Sequence, residues 1–333
     1  MTPKTLRATA LLGLAALSLS ACGSTSEPAA APSSPAGASS ESSSVTFTDN
    51  EGEKTVDTPL KSVVATDNRT FQTLDDWGIE LSAGAVSLMP DTIGYTKDKD
   101  IVDLGNHREP DLEKVVAVEP DLIVNGQRYA QYEDKFKELV PDATIVNLDP
   151  REGEPFDAEL ERQVTTLGEI FGKQDEAKKV VEDFEAAQER VKAAYDKEDT
   201  VMGLIASGGE FGYSAPSTGR TVGPLFDVLG LTPALEIEDS STDHEGDDVS
   251  VEAIADSNPD WILVMDRDAA INADSEDYHP AKELLENSEA LKNVDASKEG
   301  QVVVFPADTY TNESIQTYTE FLPDFADALE AAK

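Results

Sequence analysis

The 333-residue chain has one cysteine, three histidines and two tryptophans, and only 26 basic residues against 67 acidic ones. A single cysteine excludes an intramolecular disulfide. With no His-x-x-x-His pair among the scattered histidines (His107, His244, His279), an intrinsic zinc or manganese site is not expected either. The shortage of lysine and arginine leaves a formal charge of −41, which argues against nucleic acid or anionic lipid as a partner of the body. Neither G-x-x-x-x-G-K-[ST] nor G-x-G-x-x-G occurs, so Gly208-Gly209 reads as a tight turn, not a phosphate loop. No G-x-S-x-G elbow and no Ser, His and acid set at matched strand ends is present, which disfavours a hydrolase.

What the chain does have is an internal repeat. Glu113 to Arg128 reads EKVVAVEPDLIVNGQR and Glu252 to Arg267 reads EAIADSNPDWILVMDR, with Glu, Pro, Asp, Ile and Arg in the same register. Such similarity predicts two related halves. Each copy parses as one unit: a helix N-cap (Asp111 or Ser250), a glutamate in the positive first turn and apolar residues at helical spacing. A proline then stops the helix, and the short apolar run after it reads as a buried parallel strand. Arg128 and Arg267 fall just past the carboxyl ends of those strands, where open α/β sheets place ligands. In so acidic a chain, two cations at matched strand ends are unlike the background.

The N-terminus reads as a targeting segment over residues 1–22. Lys4 and Arg7 give a basic start, Ala8 to Leu19 an apolar stretch too short for a stable span, and Leu19-Ser20-Ala21-Cys22 resembles a bacterial lipobox. Lipidation at Cys22 would account for the lone cysteine. Residues 23–44, nearly all Ser, Ala, Pro and Gly, read as a disordered tether.

From Val45 onward, short apolar runs alternate with helical segments, which predicts α/β lobes with mainly parallel sheets. Residues 45–155 form the expected N-terminal lobe and 173–333 the C-terminal one. Between them, the amphipathic stretch 156–172 is expected to be a single linking helix, a stiff joint that would permit little closure.

Three segments together carry a resemblance: VSVEAIADSNPDWILVMDRDAAI, SGGEFGYSAPSTGRTVGPLFDVLG and EPDLEKVVAVEPDLIVNGQR. They resemble the iron-siderophore solute-binding lipoproteins of ABC importers, nearest to the branch that takes catecholate siderophores. The resemblance implies two Rossmann-like lobes with the ligand between them. It implies a monomer on the extracytoplasmic face of the cell membrane that is not an enzyme. There would be no resident cofactor, because ferric iron arrives inside the ligand, and the partners would be a ferric siderophore and the permease. Carried over residue by residue, the family's cleft arginines match Arg128, Arg220 and Arg267. Guanidinium suits this task, with permanent charge, directed donors and a flat face for aromatic rings. Arg69, after the first strand of the lobe, is a possible fourth cation or a structural ion pair. His244 and Tyr310 match positions that complete an iron shell, and a phenolate suits a hard cation. Here the chain departs from the family pattern, with His-Glu-Gly for His-Gly and a shorter C-terminal loop around Tyr310. Glu113 and Glu252 match the permease-docking glutamates, although the helix dipole alone would stabilise an acid there. Haem or a corrinoid on the same scaffold, or a surface enzyme acting on a small anion, are the alternatives.

Overall fold

A computed structural model describes residues 43–105 and 108–333. The lipobox cysteine Cys22, the targeting segment, all but the last two residues of the tether, and His107 lie outside the described residues. The tether expectation is corrected at its end. Ser43 and Ser44 belong to the first strand, because their backbones pair with Thr58 and Asp57 regardless of side-chain polarity.

An antiparallel hairpin, β1 (Ser43–Asp49) and β2 (Gly52–Thr58), opens the body. The first lobe follows as β3 (Val63–Ala65), α1 (Phe71–Asp76), β4 (Ala83–Gly84), β5 (Val102–Asp103), α2 (Leu112–Ala117), β6 (Leu122–Asn125), α3 (Glu133–Leu139) and β7 (Thr144–Asn147). Its sheet is parallel, in the order β5-β4-β3-β6-β7. The chain runs outward from β3 to β5 and then returns to place β6 on the other flank of β3. That reversal is a topological switch point, and it opens a crevice between the carboxyl ends of β3 and β6.

Two long helices come next, α4 (Phe156–Phe171) and α5 (Gln174–Ala194). Leu160, Val164, Leu167 and Ile170 bury one face of α4. Gly172, at φ 67°, ends it in the left-handed conformation that glycine adopts without steric cost. Gly168 lets α5 approach closely, since a Cβ there would lie 2.7 Å from that of Ala177. Along α5 the buried positions are Ala177, Phe184, Ala187, Gln188, Val191 and Ala194, whereas Val180 and Val181 are only half-buried.

The second lobe contains β8 (Thr200–Ser207), β9 (Glu210–Tyr213), α6 (Gly223–Leu229), β10 (Thr232–Pro233), α7 (Val251–Ser257), β11 (Trp261–Asp266), α8 (Arg267–Ile271), α9 (Ala281–Asn287), α10 (Asp295–Glu299) and β12 (Val302–Val304). The parallel order is β10-β8-β11-β12, with β9 antiparallel on β8. Here the switch point falls between β8 and β11. Gly208 and Gly209, at φ 60° and 80°, form the two-residue β8–β9 turn, with the positive dihedrals such hairpins need.

The last helix, α11 (Ile315–Ala331), packs against α5 and α4 and so ties both lobes together. Phe321 of α11 stacks on Phe305 with ring centroids 3.6 Å apart, and Phe325 meets buried Trp261 edge-on. Burying such a ring stabilises the fold by roughly 1.5–3 kcal/mol. A row of polar side chains crosses between the lobes beside this core. Gln72 of α1 accepts from Asn312 at 2.7 Å and from Ser314 at 3.3 Å, and Gln316 donates to Thr73 at 2.9 Å. Among the described residues no helix is long and apolar enough to cross a membrane.

Candidate ligand-binding site

Each switch point supplies a cation. After β6 the chain runs through Gly126, where a Cβ would lie 2.6 Å from the Asp67 carboxyl carbon, so only glycine permits that approach. Gln127 follows at φ 48°, its N–H held 3.2 Å from both Asp149 carboxylate oxygens, and the turn delivers Arg128 into the crevice. After β11, Asp266 caps α8 by accepting from the Ala269 N–H at 3.0 Å, which fixes Arg267 as the first helical residue. The Arg267 guanidinium donates to Ser207 Oγ of β8 at 2.9 Å and lies 3.4 Å from Glu245. Its buried Nε has no hydrogen-bond partner.

The third arginine arrives differently. Arg220 sits in the loop between β9 and α6, ahead of Thr221 at φ 64°, a strained conformation for a β-branched residue. Thr221 is held there by its hydroxyl, which donates to Glu313 at 2.6 Å and lies 3.5 Å from the Met265 sulfur, and by its carbonyl, which accepts from Tyr318 at 3.2 Å.

All three guanidiniums converge on Tyr310, a buried residue in the turn after β12. Their carbons lie 5.9 Å (Arg128), 4.6 Å (Arg220) and 4.9 Å (Arg267) from the ring centroid, within the range of cation–π attraction. Arg128 also donates to the phenol oxygen at 2.9 Å. Burial alone would push the Tyr310 phenol up. The Arg267 hydrogen bond and the charges of Arg128, Arg220 and Arg267 outweigh it and hold the phenol below its ordinary value. The half-exposed His244 ring stands 6.4 Å from the Tyr310 ring. A cavity of about 530 Å³ opens beside them, lined by Arg128, His244, Arg267 and Tyr310, with Phe71, Leu88, Met89 and Pro90 on one wall and Ala270 and Ile271 on the other.

The structure therefore gathers Arg128, Arg220, Arg267, His244 and Tyr310 around one crevice. Arg69 lies behind it, 3.6 Å from both Asp149 and Glu313 and engaged with carboxylates. Glu113 and Glu252 are separate, exposed in the first turns of α2 and α7. Both helices have the expected caps, with Asp111 and Ser250 accepting from Lys114 and Ala253 N–H at 3.2 Å. His279 is exposed and pairs with Glu283. Among the described residues no group of three or more His, Cys, Asp or Glu is placed to hold a metal ion.

Two acids at the site were not foreseen. Glu313 is fully buried between Arg69 and Arg220. Burial pushes its carboxyl up, but the charges of Arg220 and then Arg69 hold it down at about 2. Asp67, also buried, is pushed up to about 7 by burial and by the charge of Asp149. Neither belongs to a motif; the one available signal is that Glu313 follows Tyr310 by three positions.

The periplasmic binding protein family model matches residues 63–309, most of the chain. The chain belongs to the periplasmic binding protein family. Membership places it among extracytoplasmic substrate-binding proteins, a family of binders and not of enzymes. This periplasmic binding protein is 30% identical over 286 residues to the petrobactin-binding protein YclQ of Bacillus subtilis, covering 85% of this chain and 86% of YclQ. To the ferric-anguibactin-binding protein FatB of Vibrio anguillarum it is 28% identical, covering 83% and 84% of the two chains. The crystal structure of YclQ superposes with a TM-score of 0.72 at 26% identity, over 86% of this chain and 99% of that one. A TroA-like periplasmic binding protein from Xylanimonas cellulosilytica gives 0.71 at 27% identity, over 88% and 100%. The two-lobed α/β architecture expected from the repeat is thus the fold observed.

Proposed function

We propose that this protein captures a ferric siderophore, of catecholate type, between its lobes and delivers it chemically unchanged to an ABC permease. The observation that carries the reading is the convergence of three guanidiniums on one acidified phenol beside an open cavity. A ferric catecholate is a bulky anion with charge on its oxygens and flat aromatic rings. Arg128, Arg220 and Arg267, with Arg69 behind them, offer charge, donors and planar faces suited to it. Where the siderophore supplies four donors, Tyr310 as phenolate and His244 as neutral imidazole take the two remaining positions on iron. Iron is cargo in this scheme and not a resident cofactor. The relatives' ligands, petrobactin and ferric anguibactin, support the assignment by similarity.

The remaining parts of the proposal concern delivery. Cys22 carries the lipid that holds a monomer on the outer face of the membrane, and residues 23–42 serve as the tether. Glu113 and Glu252 meet the permease. The lobes comprise residues 45–155 and 173–333, and α4 links them; the polar row from Gln72 and Thr73 to Asn312, Ser314 and Gln316 keeps closure small.

Intrinsic-fluorescence titration with ferric catecholates, ferric hydroxamates, ferric citrate, haem and cobalamin tests the reading. The expected result is tightest binding of a ferric catecholate, recovered intact by mass spectrometry. Preferential binding of haem or cobalamin, or turnover of the ligand, refutes it.

A further inference from the structure

The three cleft arginines have different carboxylate partners, and the difference assigns them different work. Arg128 is exposed and has no carboxylate within ion-pair distance among the described residues; its guanidinium donates to the Tyr310 hydroxyl. Arg267 pairs at 3.4 Å with Glu245, whose side chain is 56% exposed, and lies 3.9 Å from Asp268. Arg220 is committed. Its Nε and Nη2 donate to the two carboxylate oxygens of Glu313 at 2.8 and 3.0 Å, a bidentate fork, and the Glu313 side chain is 2% exposed. The same carboxylate accepts from Thr221 and faces Arg69 from the first lobe. Breaking such a pair strands a buried charge, so an incoming anion does not displace it. Arg220 also lines a side opening with Arg128 and His244, and is absent from the lining of the main cavity.

We infer that Glu313 is a positioning and charge-setting residue: it cancels the charge of Arg220 and fixes that guanidinium under the Tyr310 ring, leaving Arg128 and Arg267 to recognise ligand charge. This rests on the ferric-catecholate reading and goes beyond it. The charge that a ligand can draw on is then carried by Arg128 and by Arg267, whose partners are looser, and not by all three arginines. Arg220 acts through Tyr310, which it orients by its flat face, 4.6 Å from the ring centroid.

The test uses the full chain and two probes, a hexadentate tris-catecholate of ferric iron, which is trianionic, and a tetradentate bis-catecholate, which is monoanionic. Arg128→Gln and Arg267→Gln should each weaken the trianion by about tenfold to a hundredfold, weaken the monoanion less, and flatten the salt dependence. The double variant Arg220→Gln with Glu313→Gln, which removes the ion pair without changing net charge, should weaken both probes alike, leave their ratio and the salt dependence intact, and shift the tyrosinate-to-iron charge-transfer band of the monoanionic complex. Glu313→Gln uncages the Arg220 charge and should move the ratio toward the trianion by about tenfold. Loss of the trianion preference in the double variant as large as in Arg128→Gln overturns the inference, as does an unchanged ratio in folded Glu313→Gln. Should Glu313→Gln not fold, the double variant, which strands no charge, decides alone. Failure of the wild type to bind either probe overturns instead the ferric-catecholate reading on which the inference stands.

Discussion

Replacing Tyr310 by Phe removes one oxygen from the meeting point of three guanidiniums. Without ligand the cost is small. The lost bonds are the 2.9 Å contact from Arg128, whose exposed guanidinium regains water, and the one from the recessed Arg267, so stability should fall by no more than about 2 kcal/mol. With a four-donor ferric complex the cost is larger, because water must stand where the phenolate bonded iron. A loss of about 1.5–3 kcal/mol, roughly tenfold to a hundredfold in Kd, is expected. The phenol must release its proton to bond iron, and the arginines already hold its pKa below the ordinary value. Binding of the four-donor complex by the wild type should therefore tighten by about tenfold per pH unit on the acidic side of that pKa. Tyr310→Phe should lose the phenol's share of this dependence and show a shallower slope over the same range. A preformed six-donor complex, with no open position, controls for the ligand's own titration. The assay is fluorescence quenching between pH 5 and 8 with visible spectra of each complex. Equal affinity, slope and absorption for wild type and Tyr310→Phe with both ligand types would refute iron ligation and leave Tyr310 as an organiser of cations.

Four shorter predictions follow from other parts of the molecule. Asp67 has a folded-state pKa of about 7 against an ordinary 3.8, so its contribution is fully present below pH 4 and is lost as pH rises through 7. Asp67→Asn should remove this dependence and gain on the wild type by on the order of 2 kcal/mol between pH 5 and 8 in urea unfolding; a parallel pH profile would contradict the assignment. A Cβ at Gly212 would lie 1.9 Å from the Glu245 carbonyl, so Gly212→Ala should lift the His244 loop off β9. The expected cost is about 1–3 kcal/mol in thermal unfolding together with weaker binding of four-donor complexes; an unaffected loop would show in an unchanged Kd. Glu113→Ala with Glu252→Ala should preserve ligand affinity but slow iron uptake by cells, and normal uptake at normal protein level would leave these acids only their helix-dipole role. Cys22→Ser should release the protein from the membrane fraction or stall its maturation, and unchanged partitioning would exclude the lipid anchor.

The parts legible in the sequence are those encoded by local rules. The repeat, its caps at Asp111 and Ser250, and the apolar runs of β3, β6, β8 and β11 all follow from spacing and composition, and strand-end logic then located Arg128 and Arg267. The β1–β2 hairpin was harder to read because its strands expose mostly polar residues and bury little beyond Phe47 and Val56. The last helix hides behind Pro323, which sequence rules treat as a breaker although α11 continues through it. Glu313 was invisible for a different reason. Its partners, Arg69 and Arg220, are brought to it only by the packing of both lobes, and one acid among 67 acidic residues carries no mark of burial.

The setting of the cleft arginines shapes how fast a ligand arrives. Arg220 and Arg267 are recessed, each 16% exposed, within a chain of formal charge −41. An approaching anion is repelled at long range and attracted only once inside. At 0.01 M ionic strength the repulsion reaches about 30 Å and surrounds the whole molecule, whereas at 0.15 M it decays within about 8 Å. Added salt should thus speed association by erasing the outer barrier, and speed dissociation by loosening the inner contacts. The two rates then rise together, so turnover of cargo increases with salinity more steeply than affinity falls.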